Sequence, residues 1–150
     1  MFTQIVLGVD GSEASELAVA VAADLAAQLH AAVTVVNAVA DAMMIMPPVA
    51  PTEAMITPPL MTEEALQEME QAGREVLTRT AERFQRAGVA CTTRLEHGPA
   101  AAQIVEIATS VGADLIVLGS RGHGKLEELL LGSVSDTVVR EATCSVLIVR

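Results

Sequence analysis

ADLIVLGSRGHGKLEELLLGSVS, residues 113–135, is the stretch whose reading decides the fold. Leu115–Leu118 is a short apolar run that stops at Gly119, with Gly122, Gly124 and Gly132 to follow. An apolar run closed by glycine predicts a buried strand, then a loop, then a helix that starts at Gly132-Ser133. Glycine lets a backbone approach a ligand closely. The first N–H groups of a helix have no intrahelical partner and carry the positive end of its dipole, so they suit phosphate.

Two phosphate motifs come close and fail. Gly119-Ser-Arg-Gly-His-Gly124-Lys125 follows GxxxxGK but then places Leu126 where a magnesium-holding hydroxyl belongs. Gly122-His-Gly124 opens GxGxxG, yet Glu127 stands at the third glycine position. What remains is the spacing Gly119-x2-Gly122-x9-Gly132-Ser133. A bare turning loop is the competing reading. Four glycines that end on a helix start favour an anion site instead.

The rest of the chain bounds the answer. At 150 residues it predicts one domain with a substantial core. Nineteen acidic against nine basic residues give a net charge of −10, which disfavours nucleic acid and anionic membrane surfaces as partners. With no Trp or Tyr and only Phe2 and Phe84, there is no base-stacking platform. Cys91 and Cys144 make neither a disulfide framework nor a metal set, and their apolar surroundings suggest buried thiols. MFTQIVLGVD is not a secretory leader, and no apolar run reaches the ~20 residues of a membrane span, so a cytoplasmic protein is expected.

In chain order, Ile5–Val9 reads as a strand covered on both faces. It gives way at Asp10-Gly11-Ser12 to a helix running to about His30, capped by Ser12, with Leu17, Val21, Leu25 and Leu29 as its buried stripe. Val33–Val39 is the second strand, parallel to the first. Residues 40–61 hold five of the six prolines and five of the seven methionines. This segment is expected to be either a lid or partner-binding loop, or a long connection over the sheet edge. Thr62 opens the longest helix, which ends near Gly88; Leu66, Met69, Val76, Leu77, Thr80 and Phe84 lie on one face. Glu70/Arg74, Glu75/Arg79 and Glu82/Arg86 are spaced as i,i+4 pairs on the other. Val89–Glu96 alternates like an edge strand. Gly98-Pro99 starts a helix with Ile104, Val105, Ala108 and Val111 inward. After the fourth strand, Leu115–Leu118, come a helix over 133–141 with Val134 and Val138 buried, and a fifth strand, Val146–Val149. His30 and His97 lack partners at metal-ligand spacing. Five strands alternating with helices predict a three-layer α/β/α sandwich.

The chain resembles the universal stress protein family. The likeness runs from Val9-Asp10-Gly11-Ser12 through Gly98-Pro99 and Gly112–Gly119 to the glycine spacing, its GSVS ending and the closing apolar strand. The family commonly has Cys-Pro-Val near the end, where this chain has Cys144-Ser145-Val146. The resemblance implies a five-stranded parallel sheet of order 3-2-1-4-5, Rossmann-like, with its ligand where the winding direction reverses. It also implies an ATP site shared with magnesium held mainly by the phosphates. Gly119 and Gly122 would bring backbone amides to ribose and phosphates. Gly132, Ser133, Val134 and Ser135 would hold the phosphates at a helix start. Asp10 would meet the ribose or the metal-bearing end, and the Ala38 backbone would meet the adenine edge. Arg121 would sit beside the phosphates. A homodimer through the last strand, residues 144–149, is implied too, and an apolar edge strand independently asks to be covered.

Three functions follow as alternatives: an ATP-dependent stress-response module with slow or no hydrolysis, a true ATPase or nucleotidyl transferase, or a nucleotide-free dimeric scaffold. The first is favoured. Asp10 and His123 are the only groups placed to act on a γ-phosphate, they form no acid–base pair, and the SGGxDS loop of pyrophosphatases is absent. No catalytic residue and no protein-held metal are assigned.

Overall fold

A computed structural model describes residues 1–41, 62–121 and 131–150. The Met/Pro-rich segment and Gly122 thus lie outside the described residues, apart from Ala40 and Asp41. The elements are β1 (Gln4–Gly8), α1 (Glu13–Leu29), β2 (Ala32–Val39), α2 (Glu63–Arg86), β3 (Cys91–His97), α3 (Ala100–Ser110), β4 (Leu115–Gly119), α4 (Ser133–Glu141) and β5 (Ser145–Val149). All four strand pairings are parallel, and the sheet order is β3-β2-β1-β4-β5, as expected.

Two apolar layers flank the sheet. Ile5, Leu7, Val33, Val35 and Val117 face α1 and α2, where Phe84, Val76 and Leu77 meet Val19 and the alanines of α1. Val6, Val36, Ile116 and Leu118 face α3 and α4. Strands β1 and β4 are buried on both faces, which is why they read as unbroken apolar runs. Among the described residues no helix is long and apolar enough to cross a membrane.

Packing corrects several assignments of helix faces. The buried stripe of α1 is Ser15, Ala18, Val19, Ala22, Ala23 and Ala26, while Leu17 is 47% exposed and Val21, Leu25 and Leu29 are half-buried. Small side chains let the helix lie close to the sheet, so alanine wins the inward face. Val134 is exposed, leaving Ser135 and Val138 as the buried residues of α4. Met69 is likewise exposed, and Val105 and Val111 are only half-buried where Ala101 and Ile107 are buried. Both cysteines are free and half-buried, not core residues, and their partial burial raises both thiols above the usual range.

Of the three charge pairs on α2, Glu70–Arg74 forms at 3.0 Å. Glu75 instead accepts from Gln71, and Arg86 donates its Nε–H to the Glu82 carbonyl. The Nε2 of His97 lies 2.7 Å from Glu70 Oε1, joining the end of β3 to α2. That bond, helped by Arg74, holds the Glu70 carboxyl below its ordinary value. His30 ends α1 in the left-handed region, φ 56°.

Asp114 anchors the start of the sheet. Its carboxylate accepts from Thr3 N–H at 2.8 Å, Thr3 Oγ1–H at 2.9 Å and Gln4 N–H at 3.2 Å. Partial burial pushes the carboxyl up, but these donors outweigh it and hold the group below its usual range. A depressed carboxylate contributes stability above its unfolded pKa of about 3.9 and loses it as pH falls through the lower folded value. Asp114→Ala is expected to cost about 1 kcal/mol at pH 7, with the gap closing below about pH 4. Urea unfolding of both proteins at several pH values checks this; a gap that stays constant into strong acid would contradict it.

Candidate functional site

The carboxyl ends of β1 and β4 lie side by side, paired up to Leu7↔Val117, and the chain leaves them toward opposite faces of the sheet. A crevice is expected where such crossovers diverge. Three backbone segments frame it.

The first is the turn from β1 into α1. Asp10 Oδ1 accepts the Ser12 N–H at 2.9 Å, a local bond that fixes the turn. Ser12 caps α1, its Oγ accepting the Ser15 N–H at 3.2 Å, and Ser15 Oγ accepts the Asp10 N–H at 3.2 Å. Ser12 Oγ also reaches the Arg121 carbonyl at 3.4 Å, which links this turn to the exit of β4. Asp10, Gly11 and Ser12 are all half-buried.

The second segment is that exit with the start of α4. A Cβ on Gly119 would lie 2.6 Å from the carbonyl carbon of Ala14 and 2.9 Å from the Ser15 nitrogen. The first turn of α1 therefore rests directly on β4, and only glycine fits between them. Ser120 donates its N–H to Val149 at 2.8 Å, and its carbonyl accepts the Gly132 N–H, also at 2.8 Å. The Ser135 hydroxyl, 3% exposed as a residue, faces the same carbonyl at 3.2 Å and the Gly132 carbonyl at 2.9 Å. Ser120 is thus the point that fastens α4 to the sheet. Gly132 is the N-cap and supplies no side-chain hydrogen bond, so nothing on the cap occupies the first-turn amides of Ser133, Val134 and Ser135.

The third segment is the end of β2. The last β1–β2 rung is Gly8↔Val36, after which the Val36 carbonyl accepts the Val9 N–H at 2.9 Å. Backbone groups alternate between neighbours along a strand. Ala38 therefore turns its N–H and C=O toward the β1 side, past the last rung.

Of the residues singled out from sequence, Asp10, Ala38, Gly119, Arg121, Gly132, Ser133, Val134 and Ser135 all belong to these three segments, and Gly122 lies outside the described residues. The hydroxyl of Ser135 is committed inward, so what that residue offers outward is its amide. Sequence reasoning missed Ser120, whose contribution is a carbonyl and leaves no trace in residue type. It also missed Asn37, 7% exposed and bonded through Nδ2 to the Val9 carbonyl at 2.9 Å. Here a signal existed: one amide side chain inside the apolar run VTVVNAV.

The universal stress protein family model matches residues 1–150. The chain belongs to the universal stress protein family. It is 33% identical over 150 residues to the universal stress protein YxiE of Bacillus subtilis, covering all of both chains. Among solved structures, a universal stress protein in complex with cAMP superposes with TM-score 0.71 at 27% identity, covering 99% of this chain and 97% of that one. The universal stress protein UspA from Lactobacillus plantarum shares the fold at TM-score 0.77 and 24% identity, covering 99% and 98%.

In this family member the contact of Gly119 with α1 makes a sharp stability prediction. Gly119→Ala must push α1 off β4, an overpacking cost of about 2–3 kcal/mol. Chemical denaturation measures it; a loss below about 0.5 kcal/mol would mean the helix does not rest on β4 as described.

Proposed function

We propose that this universal stress protein binds an adenine nucleotide, ATP, and serves as a nucleotide-dependent regulatory module with slow or no hydrolysis. The observation that carries the reading is the start of α4: three first-turn amides that the Gly132 cap leaves unoccupied, held at the mouth of the crevice by the Ser120 carbonyl. Such a helix start is suited to a polyanion. The cAMP complex of a relative at 27% identity supports an adenine nucleotide as the class of ligand.

In this reading the amides of Ser133, Val134 and Ser135 meet the phosphates, and Arg121 and Gly122 border them. Gly119 fixes the spacing of the floor, Asp10 meets the ribose, and the Ala38 backbone meets the base. The residues fit a magnesium nucleotide: the phosphates carry the metal, and the Asp10 carboxylate is the protein group of suitable charge at that end. Magnesium would neutralise phosphate charge. The Asp10 carboxylate accepts the Ser12 amide, which fixes its place in the turn, and this reading takes turnover to be slow.

The same reading includes a homodimer through residues 144–149. β5 is a sheet edge, and Val146, Leu147, Ile148 and Val149 are each only half-buried within the chain. Ser120 N–H donates to the Val149 carbonyl, so alternation turns the backbone groups of Val146 and Ile148 to the open edge. Val146→Pro removes an N–H from that edge alone and is expected to yield a folded monomer in sedimentation experiments. A wild-type monomer at micromolar concentration would contradict the dimer.

Calorimetric titration with ATP tests the nucleotide reading. Gly132 has Ser120 O at 3.3 Å and Arg121 Cα at 3.4 Å from the position of a Cβ, so Gly132→Val crowds the start of α4 against its Ser120 anchor. Wild type is expected to bind, the variant at least about tenfold more weakly, a loss of 1.4 kcal/mol. Phosphate release should stay below about 1 s⁻¹. No heat with wild type, or faster release that the variant abolishes, would overturn binding or slow turnover respectively.

A further inference from the structure

Asn37 is a buried amide in an otherwise apolar strand, and its partner is informative. The β1–β2 ladder runs through Gly8↔Val36, with the Val9 N–H on the Val36 carbonyl. In a parallel ladder the next bond would run from the Ala38 N–H to the Val9 carbonyl. That carbonyl is instead taken by Asn37 Nδ2 at 2.9 Å. Among the described residues the Ala38 N–H has no other acceptor.

A second feature, on a different element, serves the same side chain. Gly73 sits mid-way along the 24-residue helix α2, where glycine costs about 1 kcal/mol relative to alanine. A Cβ there would lie 2.5 Å from Asn37 Oδ1 and 2.8 Å from Leu95 Cδ1. Gly73 makes the room that the Asn37 side-chain oxygen occupies. A helix that gives up propensity at one position, and a strand that buries an amide, are explained together by one bond.

We infer that Asn37 is a positioning residue that ends the β1–β2 ladder one rung early, keeping the Ala38 backbone N–H open for a hydrogen-bond-accepting ring nitrogen of a nucleobase. This rests on the nucleotide reading for its ligand, but not for its geometry. A leucine at 37 has nearly the same shape and leaves the Val9 carbonyl free to accept Ala38. The ladder then closes over the base-binding edge.

Amide hydrogen exchange by NMR on the ligand-free protein tests the geometry directly. In wild type the Ala38 amide should exchange at least about tenfold faster than that of Val36, and in Asn37→Leu it should become protected. An Ala38 amide as protected as Val36 in wild type overturns the inference without any variant. Binding supplies the second arm. Asn37→Leu should weaken adenosine and ATP equally, by about tenfold or more, and leave inorganic tripolyphosphate binding unchanged. Unaltered adenosine affinity in a folded Asn37→Leu protein, or an equal loss of tripolyphosphate, overturns the base-positioning role. If wild type binds neither ATP nor adenosine, the nucleotide reading fails, and the exchange result still decides whether Asn37 opens the ladder.

Discussion

The contact between the first turn of α1 and Gly119 is the constraint on which the other features depend. Backbone meets backbone there, at a separation that no side chain permits. It fixes how near α1 lies to the sheet, and so why the inward face of that helix is alanine-rich. It also brings Ser12 within reach of Arg121, which ties together two turns that the sequence separates by more than a hundred residues. From the same strand end Ser120 reaches in two directions, to β5 by its amide and to α4 by its carbonyl. The ends of β1 and β4 and the starts of α1 and α4 are therefore held together largely by main-chain contacts.

That origin explains what could be read from sequence and what could not. Sheet order and helix limits followed from apolar runs and their stops, because β1 and β4 are buried on both faces. The inward face of α1 did not follow. A leucine at every fourth position looks like a core stripe, but a helix pressed against glycine buries alanine and leaves Leu17 to solvent. Val134 failed for a related reason: the buried place in the first turn of α4 goes to Ser135, whose hydroxyl closes against two carbonyls. Ser120 was invisible, since any residue carries a carbonyl. The His97–Glu70 contact at 2.7 Å joins residues 27 apart in sequence, a pairing that spacing alone does not reveal.

Polar side chains in the interior are few, and those of Ser15, Asn37, Thr80 and Ser135 are matched. Thr80 bonds back along its own helix, and Ser135 and Asn37 bond to carbonyls at the strand ends. Among the described residues no buried side-chain polar atom lacks a partner. Among the described residues the first-turn amides of α4 and the Ala38 N–H have no backbone acceptor. In the proposed reading, donors of this kind would be satisfied by a ligand carrying phosphate at one end and an acceptor nitrogen at the other.

The central claim is that the amides at the start of α4 are the phosphate contact. An ¹⁵N-correlation NMR titration with a non-hydrolysable ATP analogue, run beside adenosine, tests it most directly. The account expects the Ser133, Val134 and Ser135 resonances to move with the triphosphate far more than with the nucleoside. Saturable binding that leaves those three resonances in place would contradict it.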